Sequence, residues 1–203
     1  GMGQGMGQGM GHMGQGPRTS HQISSELLSG VVEGLGLGLG AAGPPPNATP
    51  NETKIWEHSH RALGNREVVR LLCSHIEVLR GVFGLFADAV EGVTVLKLTT
   101  SAAQRGGAYR LLEMYDVLPV TLSKVEAKVL FALSLHAQRN LRTPASIAGG
   151  GTGLDFTSFL KFLVLVAYHA LSKTSSYSST YATMEAKVEA LLVRWGLGDG
   201  VKL

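Results

Sequence analysis

Gly38, Gly40 and Gly43 stand at the spacing of G-x-G-x-x-G, the pattern in which glycines let backbone N–H groups approach a pyrophosphate at the start of a helix. That chemistry needs a helix directly behind the glycines, but Pro44, Pro45 and Pro46 follow, and a dinucleotide site is rejected. "GGGTG" at 149 to 153 lacks the Lys-Ser/Thr of a phosphate loop and reads as a connector. His58 and His60, two apart, suit neither one helical face nor a zinc pair with cysteine partners, so they read as surface residues. Cys73 and His75, also two apart, point to different sides of a helix and cannot form a nucleophile–base dyad. His75, His136 and His169 fall on separate helical segments. No paired carboxylates stand in a glycine-framed setting, so the sequence supplies no catalytic residue, no cofactor-binding residue and no metal ligand set. The expectation is a protein that is not an enzyme.

Composition narrows the remaining classes. The 203 residues are 44% hydrophobic and only 16% charged, below the roughly 25% usual for soluble domains, so part of the surface is apolar or built of Gly and Ser. Such a surface favours a partner. The net charge of +3 is spread along the chain, and the nearest approach to a basic patch is Arg61, Arg66, Arg70 and Arg80. No nucleic-acid reader motif accompanies it, so nucleic-acid binding is not expected. Cys73 is alone, which fits a reducing compartment and a buried, inert thiol. The sequons at Asn47 and Asn51 carry little weight beside it.

The elements that would position any site follow from periodicity. "GMGQGMGQGMGHMGQGP" repeats a Gly-Met-Gly-Gln unit that offers too little side chain to offset backbone entropy, and its Met2, Met6, Met10 and Met13 belong to a flexible tail. Within this low-complexity region, residues 1–54, a short amphipathic helix is predicted over 21–33 through Ile23, Leu27, Leu28, Val31 and Val32. A long amphipathic helix is predicted from the cap Asn65 through Val68, Val69, Leu72, Ile76, Leu79, Phe83 and Phe86, bent at Gly81 or Gly84. An extended piece is expected at Val93 to Leu98, then a helix "AYRLLEMYDVLP" stopped by Pro119. Ser123 and Glu126 form a capping box for a helix that turns Val125, Val129, Leu130 and Leu133 inward. The last segment, 174–203, is a Ser/Tyr linker followed by a helix with Met184, Val188, Leu191, Leu192 and Trp195 inward and Gly196 as its C-cap.

"LDFTSFLKFLVLVAYHAL", from Leu154, is too short for a membrane span, which needs about 20 apolar residues, and it is interrupted by Lys161 and His169. Its polar residues Ser158, Lys161, Tyr168 or His169, and Ser172 form one narrow stripe broken by Leu165; the rest is apolar, so the helix must be covered on several sides. The order of helix, loop, short helix, capped helix, loop and this segment resembles a pair of EF-hand-like helix–loop–helix units over 55–173. It looks closest to the degenerate EF-hand-like proteins of cilia and flagella, including relatives of the tubulin-polymerisation-promoting p25-alpha family. In that resemblance Leu154 makes a short contact with the sister loop, and Phe156, Phe159 and Phe162 pack on the exiting helix.

The calcium positions do not carry over. With Leu154 at loop position eight, the first, third, fifth and twelfth positions fall on Ile147, Gly149, Gly151 and Ser158, none a carboxylate, and Asp155 alone cannot supply six to eight oxygens. The stretch Thr94 to Gly107 has no acidic residue. The sequence therefore predicts an all-α protein: an EF-hand-like pair, a low-complexity N-terminal tail and an additional C-terminal helix. Its core and interaction residues are Phe83, Phe86, Leu130, Leu133, Leu154, Phe156, Phe159, Leu163 and Trp195. The function the resemblance implies is structural: a subunit of a large axonemal microtubule assembly, in contact with other axonemal proteins and with tubulin, without nucleic acid, membrane or cofactor. The alternative is a calmodulin-like regulatory module that grips a partner helix with little or no calcium binding.

Overall fold

The computed structural model describes residues 43–90, 92–98, 106–141 and 153–197; the helix expected over 21–33, and Ile147, Gly149 and Gly151, lie outside them. Within these residues the fold is mostly helical, with one small sheet. Helix α1 (Pro50–Leu63) starts earlier than the boundary drawn at residue 54, because Thr49 and Glu52 form a capping box and Pro50 occupies the first turn. Two oxygens close that box: Glu52 Oε2 accepts from the Thr49 N–H at 2.7 Å, and Thr49 Oγ1 accepts from the Glu52 N–H at 3.3 Å.

The single long helix expected from Asn65 to Phe86 is two helices, α2 (Arg66–Ser74) and α3 (Ile76–Phe86). The break falls at His75 instead of Gly81 or Gly84, and its cause is local. The Ser74 hydroxyl and the His75 Nδ1–H both donate to the Leu71 carbonyl, at 2.8 and 2.9 Å, while the His75 backbone N–H turns to Leu72. Side chains have replaced the helical donor at Leu71.

Strands β1 (Asp88–Val90) and β2 (Val93–Lys97) pair antiparallel, with Gly92 at φ 81° in the turn between them. After residues 99–105 comes α4 (Ala108–Met114), which ends well before Pro119. Asp116 takes a left-handed φ of 54°, and the Val117 and Asp116 N–H groups donate back to Leu112 and Glu113, so a Schellman-type turn stops the helix first. Helix α5 (Lys124–Leu141) begins with the expected Ser123–Glu126 capping box. Val125 corrects the expectation for its inner face: it is 73% exposed, and Val129 is only partly buried. A residue two positions after the cap Ser123 points away from the side that Leu130 and Leu133 bury.

Strand β3 (Gly153–Leu154) leads into α6 (Phe156–Ser172), capped by Asp155, whose Oδ1 accepts from the Ser158 N–H at 2.8 Å. The expected Ser/Tyr linker forms a short helix, α7 (Ser175–Thr180), and α8 (Met184–Arg194) closes with Gly196 at φ 71° in a Schellman turn. The sheet order is β1-β2-β3, all antiparallel; the fold is mainly helical as expected, and the extended piece expected at Val93 to Leu98 is β2, the middle strand of this small sheet. Helix α6 is the axis of the fold: it packs against α1, α3, α5, α7, α8, β2 and β3, and every residue from Ser158 to Ala167 is buried. No helix among the described residues is long and apolar enough to cross a membrane.

Candidate functional site

Two helix–loop–helix units meet where their loops cross. The first runs α3, loop, α4; the second α5, loop, α6. Their loops are joined by Leu96↔Leu154 and Lys97↔Gly153. Both leucines are fully buried, and each removes about 1.5 to 3 kcal/mol of apolar surface cost from water. Gly153 is required at this crossing because a Cβ there would lie 2.8 Å from Val95 Cβ and 2.9 Å from the Leu96 carbonyl oxygen. At the other end of the first loop, the Gly107 N–H donates to the Phe86 carbonyl at 2.7 Å, and a Cβ on Gly106 would meet that same oxygen at 2.6 Å. Backbone packing at these two glycines fixes how the loops leave the helices.

Beside the bridge, α3 and α6 meet through aromatic rings. Phe83 lies 5.5 Å from Phe156 and 5.4 Å from Phe159 between ring centroids, edge-on to the first and tilted to the second. Phe156 is only partly buried, and the Arg80 guanidinium covers its ring at 4.8 Å. Phe83, Phe86, Leu130, Leu133, Leu154, Phe159, Leu163 and Trp195 are all buried in one contiguous core. Phe162, which packs edge-on against Phe131 at 5.8 Å, joins them. Trp195 stacks on Tyr115 at 4.4 Å, which ties the end of α8 to the end of α4.

The polar stripe on α6 is covered as well. Ser158 and Lys161 are 2% and 1% exposed, and Lys161 Nζ is buried without a hydrogen-bond partner. Burial pushes its ammonium down to about 8, against an opposing pull from the Asp155 charge. Nothing in the periodicity of α6 signals this, since a lone Lys on an apolar helix reads as the solvent-facing residue. Further along, His58 of α1 stacks on Tyr168 at 5.1 Å. His169 Nε2 reaches Glu126 Oε1 at 3.1 Å, and Lys173 Nζ donates to Glu126 at 2.7 Å and to the Thr121 carbonyl at 2.9 Å. Burial raises the Glu126 carboxyl, but the bonds from Lys173, Ser123 and His169 outweigh it and hold it down to about 2. The carboxylate clamps the first turn of α5 to the last turn of α6.

The remaining sequence candidates are dispersed. His60 is half-buried and stacks on Trp56, Trp56 meets His136 edge-on at 5.5 Å, and the His75 ring is committed to Leu71. Cys73 is half-buried and burial raises its thiol, so it holds less thiolate than a free cysteine. Arg61, Arg66, Arg70 and Arg80 are divided among α1, α2 and α3; Arg70 is paired with Glu67 at 2.8 Å. The first loop opens at Ala87 and so includes Asp88, which faces Lys97 at 3.7 Å. Among the described residues no group of three or more His, Cys, Asp or Glu side chains could hold a metal ion. Comparison with protein-family models, with curated proteins and with solved structures finds no match for the chain.

Proposed function

We propose that the protein is a non-enzymatic structural and interaction protein of the cilium or flagellum. In this reading an EF-hand-like pair serves as a rigid docking body in an axonemal microtubule assembly and not as a calcium sensor. The observation that carries it is the pairing of Leu96 with Leu154, which joins two helix–loop–helix units through their loops at the residue where the family resemblance puts such a contact. The ciliary address rests on the resemblance of "LDFTSFLKFLVLVAYHAL" to that family. The loop positions on Ile147, Gly149, Gly151 and Ser158 offer no carboxylate to calcium, and Asp155 is committed to the α6 cap. Exposed Leu85, Val120 and Val125 supply apolar contact area outside the core.

Cosedimentation with microtubules tests this reading, using the full chain and a chain starting at Gly43, which keeps the α1 capping box. Calcium-independent pelleting that weakens without residues 1–42 is expected. If neither chain pellets, direct tubulin contact is wrong and the partner is another axonemal protein.

One observation favours the second reading, a regulatory module that grips a partner helix: a groove of about 460 Å³ lined by Leu171, Tyr177, Tyr181 and Val193. Calorimetry with an amphipathic helical peptide separates the two: saturable heat that is lost when Leu171 and Val193 are replaced by Asp supports the regulatory reading, and no heat of binding leaves the structural one.

A further inference from the structure

A helix is held in a fold by what it buries, and no residue of α7 is buried: it touches α6 and places Tyr177 on a groove, but sends no side chain into the core. Ser, Thr and Tyr are weak helix formers, and six residues are far fewer than an isolated helix needs in water. Its order rests on local bonds. The Tyr177 N–H donates to Thr174 Oγ1 at 3.2 Å, and the hydroxyls of Ser179 and Thr180 both donate to the Ser176 carbonyl at 2.9 Å. Such back-bonds bend and weaken a helix. The hydroxyls of Ser175, Ser176 and Ser178 are exposed and take no part in these bonds. Nine of the ten residues from Thr174 to Thr183 carry a hydroxyl.

Lys173 stands directly before this segment. Its ammonium is the one that, with His169, holds Glu126 and so closes α5 onto α6. The other cations near α7 are engaged elsewhere: Lys187 is buried with Nζ on the Tyr181 carbonyl, and Arg194 donates to the Asp116 carbonyl at 3.0 Å. Among the described residues Lys173 is the cation that directly precedes α7, and a phosphate that recruits it takes it from the clamp.

We propose that Ser175, Ser176 and Ser178 are phosphoacceptors for a serine/threonine protein kinase, and that phosphate on them draws Lys173 away from Glu126. In the transfer the serine oxygen attacks the γ-phosphorus of a magnesium-bound nucleoside triphosphate and its proton passes to a base of the kinase. The bond from that phosphorus to the bridging oxygen breaks, and a nucleoside diphosphate leaves. Opening α7 for the kinase costs little, since no side chain leaves a core. Once in place, a phosphate of about −1.5 to −2 charge outcompetes a single carboxylate for the ammonium. On Ser178 it also opposes the dipole at the end of the helix. The inference is independent of the assembly in which the protein sits.

The test uses the full chain, a basophilic serine/threonine kinase and magnesium ATP; the kinase suits Lys173, two and three residues ahead of Ser175 and Ser176. Fragment mass spectrometry locates the phosphate, and amide exchange is then followed in the first turn of α5. We expect phosphate on the three serines and none in that segment of the Ser175→Ala/Ser176→Ala/Ser178→Ala chain. Exchange at Glu126 and Ala127, whose N–H groups donate to Ser123, should quicken at least about tenfold, the effect of losing one charge-assisted hydrogen bond. A Glu126→Gln chain should exchange fast there already and gain nothing from phosphate. Phosphate confined to other segments, unchanged exchange in the phosphorylated chain, or an unphosphorylated 174–183 segment in protein isolated from the cells that make it overturns the proposal.

Discussion

Phe159 and Lys161 sit two residues apart on α6, both at or below 1% exposure, and they act on stability in opposite directions. Phe159 fills the space between α3 and α6, so Phe159→Ala should cost about 3 to 5 kcal/mol in chemical unfolding. A denaturation midpoint equal to the parent's would remove Phe159 from the core. Lys161 puts a cation where water cannot reach it, with its folded value near 8 against an ordinary value of 10.5. Between those values the unfolded chain holds a proton that the folded chain has released, so stability rises as pH increases from about 8 to 10.5. Lys161→Met should therefore melt higher than the parent at pH 7, with the gap closing as pH approaches 10.5. Parallel melting curves at all pH values would show that the ammonium is hydrated. The burial of Phe159 was legible because aromatics recur on an apolar helix; the burial of Lys161 was not, because α1, α5 and α8 close around α6 from distant parts of the chain.

At the level of elements, caps were the most legible signal. Asn65, Ser123 and Gly196 act where their sequence neighbours place them, since a cap is a contact over two to five residues. The Thr49–Glu52 box carries the same Ser/Thr-x-x-Glu signature inside a Pro/Gly-rich stretch, and it shows why α1 begins at Pro50. Breaks were less legible. Gly81 and Gly84 lie in an unbroken α3, where a Cβ on either would meet open space, whereas His75 ends α2 through its ring nitrogen. Glu126 joins local and distant order: it completes the α5 capping box and holds His169 and Lys173 of α6. Glu126→Gln should destabilise the fold by about 1 to 2 kcal/mol through the weakened cap and the lost charge-assisted bonds. Because its folded value is depressed to about 2 from 4.5, its contribution is full above pH 4.5 and lost as pH falls toward 2. The parent should therefore show a steeper acid-side loss of melting temperature than the Gln variant; identical slopes would mean the clamp is open in solution.

For the whole molecule, the two loops crossing at β2 and β3 join one helix–loop–helix unit to the other. Gly153→Ala puts a carbon 2.8 Å from Val95 Cβ and 2.9 Å from a backbone oxygen that cannot move alone, an overpacking expected to cost about 1 to 3 kcal/mol. Amide exchange at Leu96 and Leu154 should quicken with the loss of the pair, and unchanged protection would show that the loops are held by the surrounding core instead. By itself the sequence determined the helical class, the capped ends and the apolar character of α6, since each follows from residues within a few positions of one another. Only the tertiary structure decided that Leu96 meets Leu154, that Glu126 meets Lys173 across 47 positions, that Lys161 is sealed in the core and that α8 packs on α2 and α6. Those contacts join segments far apart along the chain, and chain closure leaves no trace in local periodicity.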